Sequence, residues 1–255
     1  MKTIKIVNLK KTYRSRAVLK KDSPVVHALK GVSFELTPGF YGLLGPNGAG
    51  KSTLMNIIVG TLSQDEGLVL WNERETKTLG IEFRNILGYM PQQQTLYENY
   101  TGRRFLMYIA ALKGINENVP EEVERCARTV NLSSQLEKKL SAYSGGMKQR
   151  LLAAASVMGH PQILIMDEPM AGLDPKERVH LRNVLKEISK DAIVLVATHV
   201  VPDIETVADK ILILKEGELH DIGTPQELIE RYESDTGMEG VYLKIFGEDD
   251  ADETC

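Results

Sequence analysis

One stretch of nine residues limits what this chain can fold into more than any other. It runs from Gly45 to Thr53, reads Gly-Pro-Asn-Gly-Ala-Gly-Lys-Ser-Thr, and fits the pattern G-x-x-x-x-G-K-[ST]. An apolar run, Phe40 to Leu44, precedes it and an amphipathic run, Leu54 to Val59, follows it. These flanks predict the strand before and the helix after that the pattern needs. The alternative, a glycine-rich turn with a chance lysine, is disfavoured by the same flanks.

Each residue type in this stretch has a chemical reason. Glycines let the backbone curl so that successive N–H groups point inward, and the following helix directs its positive end at the same place. Lys51 adds a mobile positive charge for β- and γ-phosphates, while Ser52 offers a hydroxyl to Mg²⁺. We therefore predict a nucleotide phosphate site made of Gly45, Pro46, Asn47, Gly48, Ala49, Gly50, Lys51, Ser52 and Thr53.

Composition and charge narrow the class of protein. The 255 residues are 42% hydrophobic and 26% charged, which suits one α/β core with an added subdomain. A net charge of −4 gives no bulk attraction to nucleic acid or anionic lipid, so we expect no nucleic-acid partner. No apolar run reaches the ~18 residues of a membrane span. We expect a cytoplasmic chain that reaches a membrane only through another protein.

The first part of the chain favours antiparallel strands. Thr3 to Leu9 and Ala28 to Leu36 alternate apolar and polar residues, and Leu68 to Trp71 extends this part. We interpret Arg14 to Val26 as a hairpin loop. Tyr13 lies just past the first strand, where an aromatic side chain either packs or stacks on a nucleotide base. The spacing leaves both alternatives open.

The middle of the chain is typical of a helical insertion. From Tyr100 to about Leu140, apolar residues recur at helical spacing and no strand-like run interrupts them. Tyr143-Ser-Gly-Gly-Met147 then opens another helix, with Ser144 placed as its N-cap. Two alternatives stay open: the serine acts only as a cap, or it belongs with Gly145 and Gly146 to a second anion-binding helix end.

Polar side chains follow three further apolar runs. Two adjacent carboxylates at a strand end can divide their work, one toward a metal and the other toward water. Taken separately, Gln92 also fits a polar surface loop, and His199 also fits a surface position or packing. Because ligands bind at the carboxyl ends of parallel strands, we expect the three sets to converge on the phosphate loop. The runs and the residues after them are Ile86–Met90 with Gln92, Ile163–Met166 with Asp167 and Glu168, and Ile193–Ala197 with His199.

The motifs in this order resemble an ATP-binding cassette (ABC) nucleotide-binding domain, over nearly the whole chain. A serine-glycine-glycine turn after a helical insertion separates that family from other phosphate-loop proteins. Asp174-Pro175 fits a helix N-cap followed by proline, and it also ends a stretch that matches the family's D-loop. The matches are Gly45–Thr53 with Walker A, Gln92 with the Q-loop, Tyr143–Met147 with the signature, Ile163–Glu168 with Walker B, Ala171–Asp174 with the D-loop and His199 with the switch histidine.

The resemblance implies a role for each matching residue. Tyr13 would stack on adenine, Glu168 would polarise the attacking water and His199 would contact the γ-phosphate. Ser52, Gln92 and Asp167 would serve Mg²⁺, directly or through water, and ATP would be the nucleotide. The implied catalytic residues are Glu168, His199, Lys51 and Gln92. The implied nucleotide-binding residues are Tyr13, Gly45 to Thr53, Ser144, Gly145, Gly146 and Asp174, with Ser144 and Gly146 acting on nucleotide held by the opposite subunit.

The resemblance also implies partners. One Walker A and one signature in the chain imply a dimer with a second nucleotide-binding domain. Tyr143-Ser-Gly-Gly-Met147, where many members have Leu-Ser-Gly-Gly-Gln, is similar to ATPases of multidrug, antibiotic and bacteriocin exporters, whose permeases are separate chains. We therefore expect an ATPase that drives export through a membrane permease. The alternatives are a soluble cassette ATPase that assists assembly or acts as a chaperone, and a nucleotide-gated module with negligible turnover.

The expected fold is α/β: a phosphate-loop NTPase core with a mixed sheet, an N-terminal antiparallel β subdomain and an inserted helical subdomain. We expect the core with the β subdomain in residues 1–94 and 160–225, and the helical subdomain with the signature in residues 95–159. Residues 226–255 would be a short C-terminal extension with an acidic end.

Overall fold

A computed structural model describes residues 2–14, 25–92 and 96–247 of the chain. These residues form two compact units. The first comprises Met1–Thr37, Tyr41–Leu79 and Ala197–Cys255, and the second comprises Pro38–Phe40 and Gly80–Val196, each as far as the chain is described. No helix among the described residues is long and apolar enough to cross a membrane. The acidic end of the chain lies outside the described residues.

An antiparallel sheet of four strands belongs to the first unit. Alternating apolar residues put one face of its first strand in the core, where Ile4, Ile6 and Leu9 are buried. Ile4 pairs with Leu36 on one side and with Trp71 on the other. The sheet has the order β2-β1-β4-β5, with β1 at Ile4–Arg14, β2 at Val25–Leu36, β4 at Glu66–Trp71 and β5 at Arg74–Glu75.

The interpretation of residues 14–26 as a loop is wrong at both of its ends. Arg14 pairs with Val25, and Tyr13 pairs with Val26, so that the first two strands extend further than their apolar pattern indicates. Val25 and Val26 are 50% and 57% exposed, and backbone pairing rather than burial holds them in the strand. Residues 15–24, between them, lie outside the described residues.

The remaining strands form one mixed sheet in the order β10-β9-β3-β8-β7-β6. β3 runs parallel to β9, β6 runs parallel to β7, and β9 and β10 form an antiparallel hairpin. β3, β7 and β8 are buried along their whole length, as near-continuous apolar strands are in parallel sheets. The strands are β3 at Gly39–Leu44, β6 at Leu87–Met90, β7 at Ile163–Asp167, β8 at Ile193–Thr198, β9 at Lys210–Lys215 and β10 at Glu218–Gly223.

Helices are divided between the two units. The first unit contains α1 at Lys51–Ile58, α2 at Thr76–Leu79, α8 at Pro225–Arg231 and α9 at Gly237–Phe246. The second unit contains α3 at Ile81–Asn85, α4 at Gly102–Leu112, α5 at Val119–Thr129, α6 at Gly145–Ser156 and α7 at Pro175–Ile188. The helical texture predicted between Tyr100 and Leu140 thus corresponds to α4, α5 and two short 3-10 turns.

An ion pair in the second unit fastens α5 to the chain that follows α6. Arg125 donates two hydrogen bonds to the Glu122 carboxylate, at 2.7 and 2.6 Å, and a third to Val157 O at 3.0 Å. The Gly159 N–H donates to the same carboxylate at 2.7 Å. Burial opposes the charge on Glu122, yet these hydrogen bonds lower its pKa to about 2 from an ordinary 4.5. Glu122 therefore stabilises the fold as a carboxylate.

We expect Glu122→Gln to lower the free energy of unfolding by about 2 kcal/mol at pH 7, the worth of a hydrogen bond to a charged group. A carboxyl whose pKa falls on folding stabilises fully above its unfolded value and loses that contribution as pH falls through the folded value. The difference from wild type should therefore stay constant from pH 7 to about 5 and shrink toward pH 2, as measured by denaturant unfolding. Glu121→Gln, on the exposed side of α5, is the control. A difference independent of pH would contradict the role of the charge.

Candidate functional site

The phosphate loop lies between β3 and α1, and its glycines sit where a side chain does not fit. A Cβ atom at Gly45 would collide with Leu214 O, and one at Gly50 would collide with Ala28 O. Gly50 also has a φ of 103°, in the left-handed region that favours glycine. Gly48 has a φ of 84° but open space around it. The loop is therefore shaped by close backbone approach on one side and is open on the other.

Hydrogen bonds fix the loop and its lysine. The Gly217 N–H donates to Ala49 O at 3.0 Å, which joins the loop to the β9–β10 turn. The Lys51 side chain is only 8% exposed, and its Nζ donates to Gly45 O at 2.5 Å and to Pro46 O at 3.0 Å. This arrangement holds a positive charge inside the loop at the N-terminus of α1, where the helix dipole also favours an anion.

Tyr13 and His199 belong to the same unit as the loop. The Tyr13 hydroxyl lies 3.4 Å from Thr53 Oγ1, and the residue is 42% exposed. The structure thus places this ring beside the start of α1, and its stacking on adenine stays a prediction. His199 follows β8 at an exposed position. The Val200 N–H donates to Thr198 Oγ1 at 3.0 Å, which fixes the turn that carries the histidine.

In the second unit, β7 ends in the two carboxylates. Asp167 is 4% exposed and Glu168 is 7% exposed, so both are buried at the strand end. Glu168 has a φ of 51°, which is rare for a residue with a long side chain and turns the chain sharply out of the strand. Burial, and then the charge of Asp167, raise the pKa of Tyr89, which lies on the neighbouring strand β6. The charge of Asp167 therefore acts on a side chain of the neighbouring strand in the same unit.

Gln92 follows β6, which is parallel to β7 and aligns Met90 with Met166. The segment that begins at Pro91 and the carboxylate pair therefore leave neighbouring strands at the same edge. Gln92 itself is exposed. Its service to a metal ion stays a prediction.

Ser144 and Asp174 are both helix caps, as the sequence predicts. Ser144 Oγ accepts the Met147 N–H at 3.2 Å, and Asp174 accepts the Glu177 N–H at 3.0 Å. Gly145 has open space around it, whereas a Cβ atom at Gly146 would approach Gly172 O at 3.2 Å. The signature turn and the Ala171–Asp174 segment are thus packed together, with both caps at exposed positions.

Sequence reasoning missed Gln149. Its side-chain amide donates to Glu168 O at 2.8 Å, and the Ala171 N–H donates to the same oxygen at 3.1 Å. The carbonyl of the buried glutamate is therefore held from α6. The only sequence signal for Gln149 is its position on the helix that Ser144 opens, one turn along.

The structure brings these residues together in two sets. In the first unit Tyr13 joins the phosphate loop, and in the second unit the carboxylate pair, Gln149, Ser144 and Asp174 belong to one connected group. Their union in a single site stays a prediction. Among the described residues, no group of three histidine, cysteine or acidic side chains that could hold a metal ion is present.

Comparison with known proteins finds one family throughout. The family model described as ABC transporter matches residues 29–171. ABC transporter A family member 8 of Arabidopsis thaliana is 36% identical, over 88% of this chain and 25% of that protein. The chain spans about a quarter of the length of such plant relatives. In Bacillus subtilis, the uncharacterized ABC transporter ATP-binding protein YxlF is 35% identical, over 86% of this chain and 74% of its own length.

A second Bacillus subtilis relative, the linearmycin resistance ATP-binding protein LnrL, is 33% identical over 90% of this chain and 71% of its own length. Among solved structures, the ATP binding subunit of an ABC transporter aligns with a TM-score of 0.79 at 25% identity, over 94% of this chain and 98% of that chain. A dimeric ATP-binding cassette bound to ADP and Pi in a post-hydrolysis state aligns with a TM-score of 0.76 at 25% identity, over 87% of this chain and 98% of that one.

We expect Gly50→Ala to destabilise the protein far more than Gly48→Ala. Both substitutions put a side chain at a positive φ, which costs about 1–2 kcal/mol. Only the alanine at position 50 also meets a backbone oxygen, which adds about 1–3 kcal/mol of overpacking. Denaturant unfolding of the two variants measures the difference. Equal losses would mean that the loop relaxes away from Ala28 and is not shaped by that contact.

Proposed function

We propose a function from the premise that this chain belongs to the ABC transporter family, as one of its ATP-binding and ATP-hydrolysing cassettes. In this proposal the chain drives export of a substrate through a separate membrane permease. The observation that carries the proposal is the phosphate loop with its buried Lys51. The export direction is supported by the similarity to LnrL, whose name describes linearmycin resistance. We further propose that the cassette lies at the cytoplasmic face of the cell membrane and is held there by the permease.

In the proposed ATP site, the loop amides and Lys51 bind the β- and γ-phosphates. Lys51 exchanges its hydrogen bonds with Gly45 O and Pro46 O for phosphate oxygens, which bind the ammonium more strongly because they are charged. Tyr13 stacks on the adenine ring, and its position beside Thr53 at the start of α1 supports that role. The nine residues from Gly45 to Thr53 thus bind the triphosphate.

The residues proposed to hold Mg²⁺ fit that ion. Ser52 offers a hydroxyl and Asp167 a carboxylate, both hard oxygen donors of the kind that Mg²⁺ takes together with phosphate. Gln92 contributes an amide oxygen, directly or through water. When bound, Mg²⁺ neutralises charge that develops on the transferred phosphoryl group.

Glu168 is proposed to orient and polarise the water that attacks the γ-phosphate. Its burial keeps competing water away, and two hydrogen bonds to its carbonyl, from Gln149 and Ala171, fix the backbone from which the side chain projects. His199 is proposed to contact the γ-phosphate from its turn after β8. These parts supply what phosphoryl transfer to water needs: a positioned water and stabilised charge.

The active form is proposed to be a dimer of cassettes, either two copies of this chain or this chain with a homologue. The similar cassette bound to ADP and Pi was solved as a dimer. Ser144 and Gly146 would then act on nucleotide held by the opposite subunit, and Gly145 and Asp174 are proposed to bind nucleotide with them. Their place at helix N-termini, with open space at Gly145, supports contact with an incoming phosphate.

We expect Glu168→Gln to keep ATP binding and to lower the rate of hydrolysis by on the order of 10²–10⁴, the usual worth of a positioned general base. Calorimetry measures the binding and phosphate release measures the rate. Glu121→Gln removes the same charge from an exposed position in the same unit and should leave both values unchanged. Full activity of the Glu168 variant would remove this residue from its proposed role.

The transporter proposal is tested by affinity purification of the tagged chain from detergent-solubilised native membranes. We expect a polytopic membrane protein to copurify in stoichiometric amount, because the proposed function couples hydrolysis to export through a separate permease. Recovery with a cytosolic partner would instead support an assembly or chaperone ATPase. A purified chain that binds ATP without hydrolysing it would support a nucleotide-gated module.

A further inference from the structure

The C-terminal helix α9 has no part in the proposed ATP chemistry, yet it is firmly packed in the first unit. Met238 and Val241 are fully buried, and Ile245 and Phe246 are nearly so. A helix that only ended the chain would have no need of so much burial or of the specific polar contacts described below. Two of these contacts lead to the segments that carry His199 and the phosphate loop.

The first contact joins the start of α9 to Glu205. The Glu205 carboxylate accepts the Met238 N–H at 2.9 Å and so supplies an acceptor for the N-terminus of the helix. Gly237 makes this approach possible. It has a φ of 68°, and a Cβ atom there would lie 2.7 Å from Glu205 Oε1. The contact is therefore built from both sides, with a carboxylate on one segment and a glycine on the other.

Glu205 lies six residues after His199, on the same rigid stretch. The N–H groups of Ile204 and Glu205 both donate to Val201 O at 3.1 Å. Ile204 is fully buried, and its side chain occupies the space above Gly42, where a Cβ atom would collide with it. The stretch from the histidine to Glu205 is thus folded tightly on β3, the strand that leads into the phosphate loop.

The second contact joins the end of α9 to the end of β9. Lys215 Nζ donates to Ile245 O at 2.9 Å and lies 5.9 Å from the centre of the Phe246 ring. The residue before it, Leu214, provides the carbonyl against which Gly45 packs. Two residues further on, the Gly217 N–H holds the loop at Ala49 O. The end of α9 is therefore tied to the backbone that supports the phosphate loop.

We propose that α9 is a strap that positions the two halves of the ATP site in the first unit, with Glu205 as a positioning residue for His199 and Lys215 as one for the phosphate loop. This inference rests on the proposed function, since it takes the role of His199 from there. In this proposal Glu205 affects the rate of turnover, and Lys215 affects the affinity for nucleotide. Neither residue is among those proposed to bind the nucleotide.

The test compares Glu205→Ala with Glu239→Ala in the full chain. Glu239 is an exposed glutamate in the first turn of α9, so it controls for loss of a glutamate charge near the N-terminus of that helix. We expect Glu205→Ala to lower kcat about tenfold with the Kd for ATP within about twofold of wild type, as loss of a group that acts mainly in the transition state does. Glu205→Gln, which keeps an acceptor oxygen, should retain most of the rate.

Lys215→Met should show the opposite division, with the Kd for ATP raised about fivefold and kcat changed less than twofold. A merely structural role would instead lower the folded fraction and move both values alike in both variants. Hydrogen exchange of residues 198–207 gives a readout independent of turnover, and we expect it to rise in Glu205→Ala and not in Glu239→Ala.

The strap proposal would be overturned if Glu205→Ala and Glu239→Ala had the same kcat and the same hydrogen exchange of residues 198–207. A wild-type chain that hydrolyses no ATP would instead overturn the proposed function, and the exchange experiment would still decide whether α9 holds the His199 segment. If Glu205→Ala does not fold, Glu205→Asp takes its place. Its carboxylate is one methylene shorter, and the same readouts and outcomes decide.

Discussion

The first unit depends on how closely the phosphate loop approaches its neighbours. Gly45 and Gly50 bring the loop against the carbonyl oxygens of Leu214 and Ala28, and any larger residue at either position collides with backbone. Backbone cannot give way as a flexible side chain can, so the loop shape follows from the positions of β2 and β9. Lys51 is then buried against carbonyls of the same loop. The positions of β2 and β9 therefore set the loop shape that Gly45 and Gly50 allow, and this shape in turn holds the charge of Lys51.

The second unit solves a different problem, which is to bury two adjacent carboxylates. Removing a charge from water costs several kcal/mol unless hydrogen bonds or opposite charge offset it. Asp167 and Glu168 lie at the end of a fully buried strand, where carboxylates need such compensation. The left-handed φ of Glu168 adds strain that only firm surroundings hold, and Gln149 supplies part of that support through the glutamate's carbonyl. Backbone strain of this kind is typical of residues at functional sites.

The sequence predicts those features that depend on local pattern. Apolar runs indicate β3, β7 and β8. The residue types of Ser144 and Asp174 indicate the two helix caps. The phosphate-loop motif indicates the strand before it and the helix after it. Features set by tertiary contact could not be predicted. Val25 and Val26 are exposed, so no apolar pattern marks their strand, and only pairing with β1 reveals it. Gln149 and Glu205 bond to residues 19 and 33 positions away, with no periodic signal.

The two readings of Ser144, a helix cap and an anion site, describe the same physics. A helix N-terminus leaves several N–H groups without intrahelical partners, and a cap satisfies one of them. The Ser144 cap accepts the Met147 N–H, Ser144 itself is exposed, and Gly145 after it has open space around it. A phosphate oxygen needs the remaining N–H groups and the dipole that the cap leaves in place. The cap is therefore compatible with the proposed anion site, because it fixes the first turn of the helix and leaves other N–H groups without intrahelical partners.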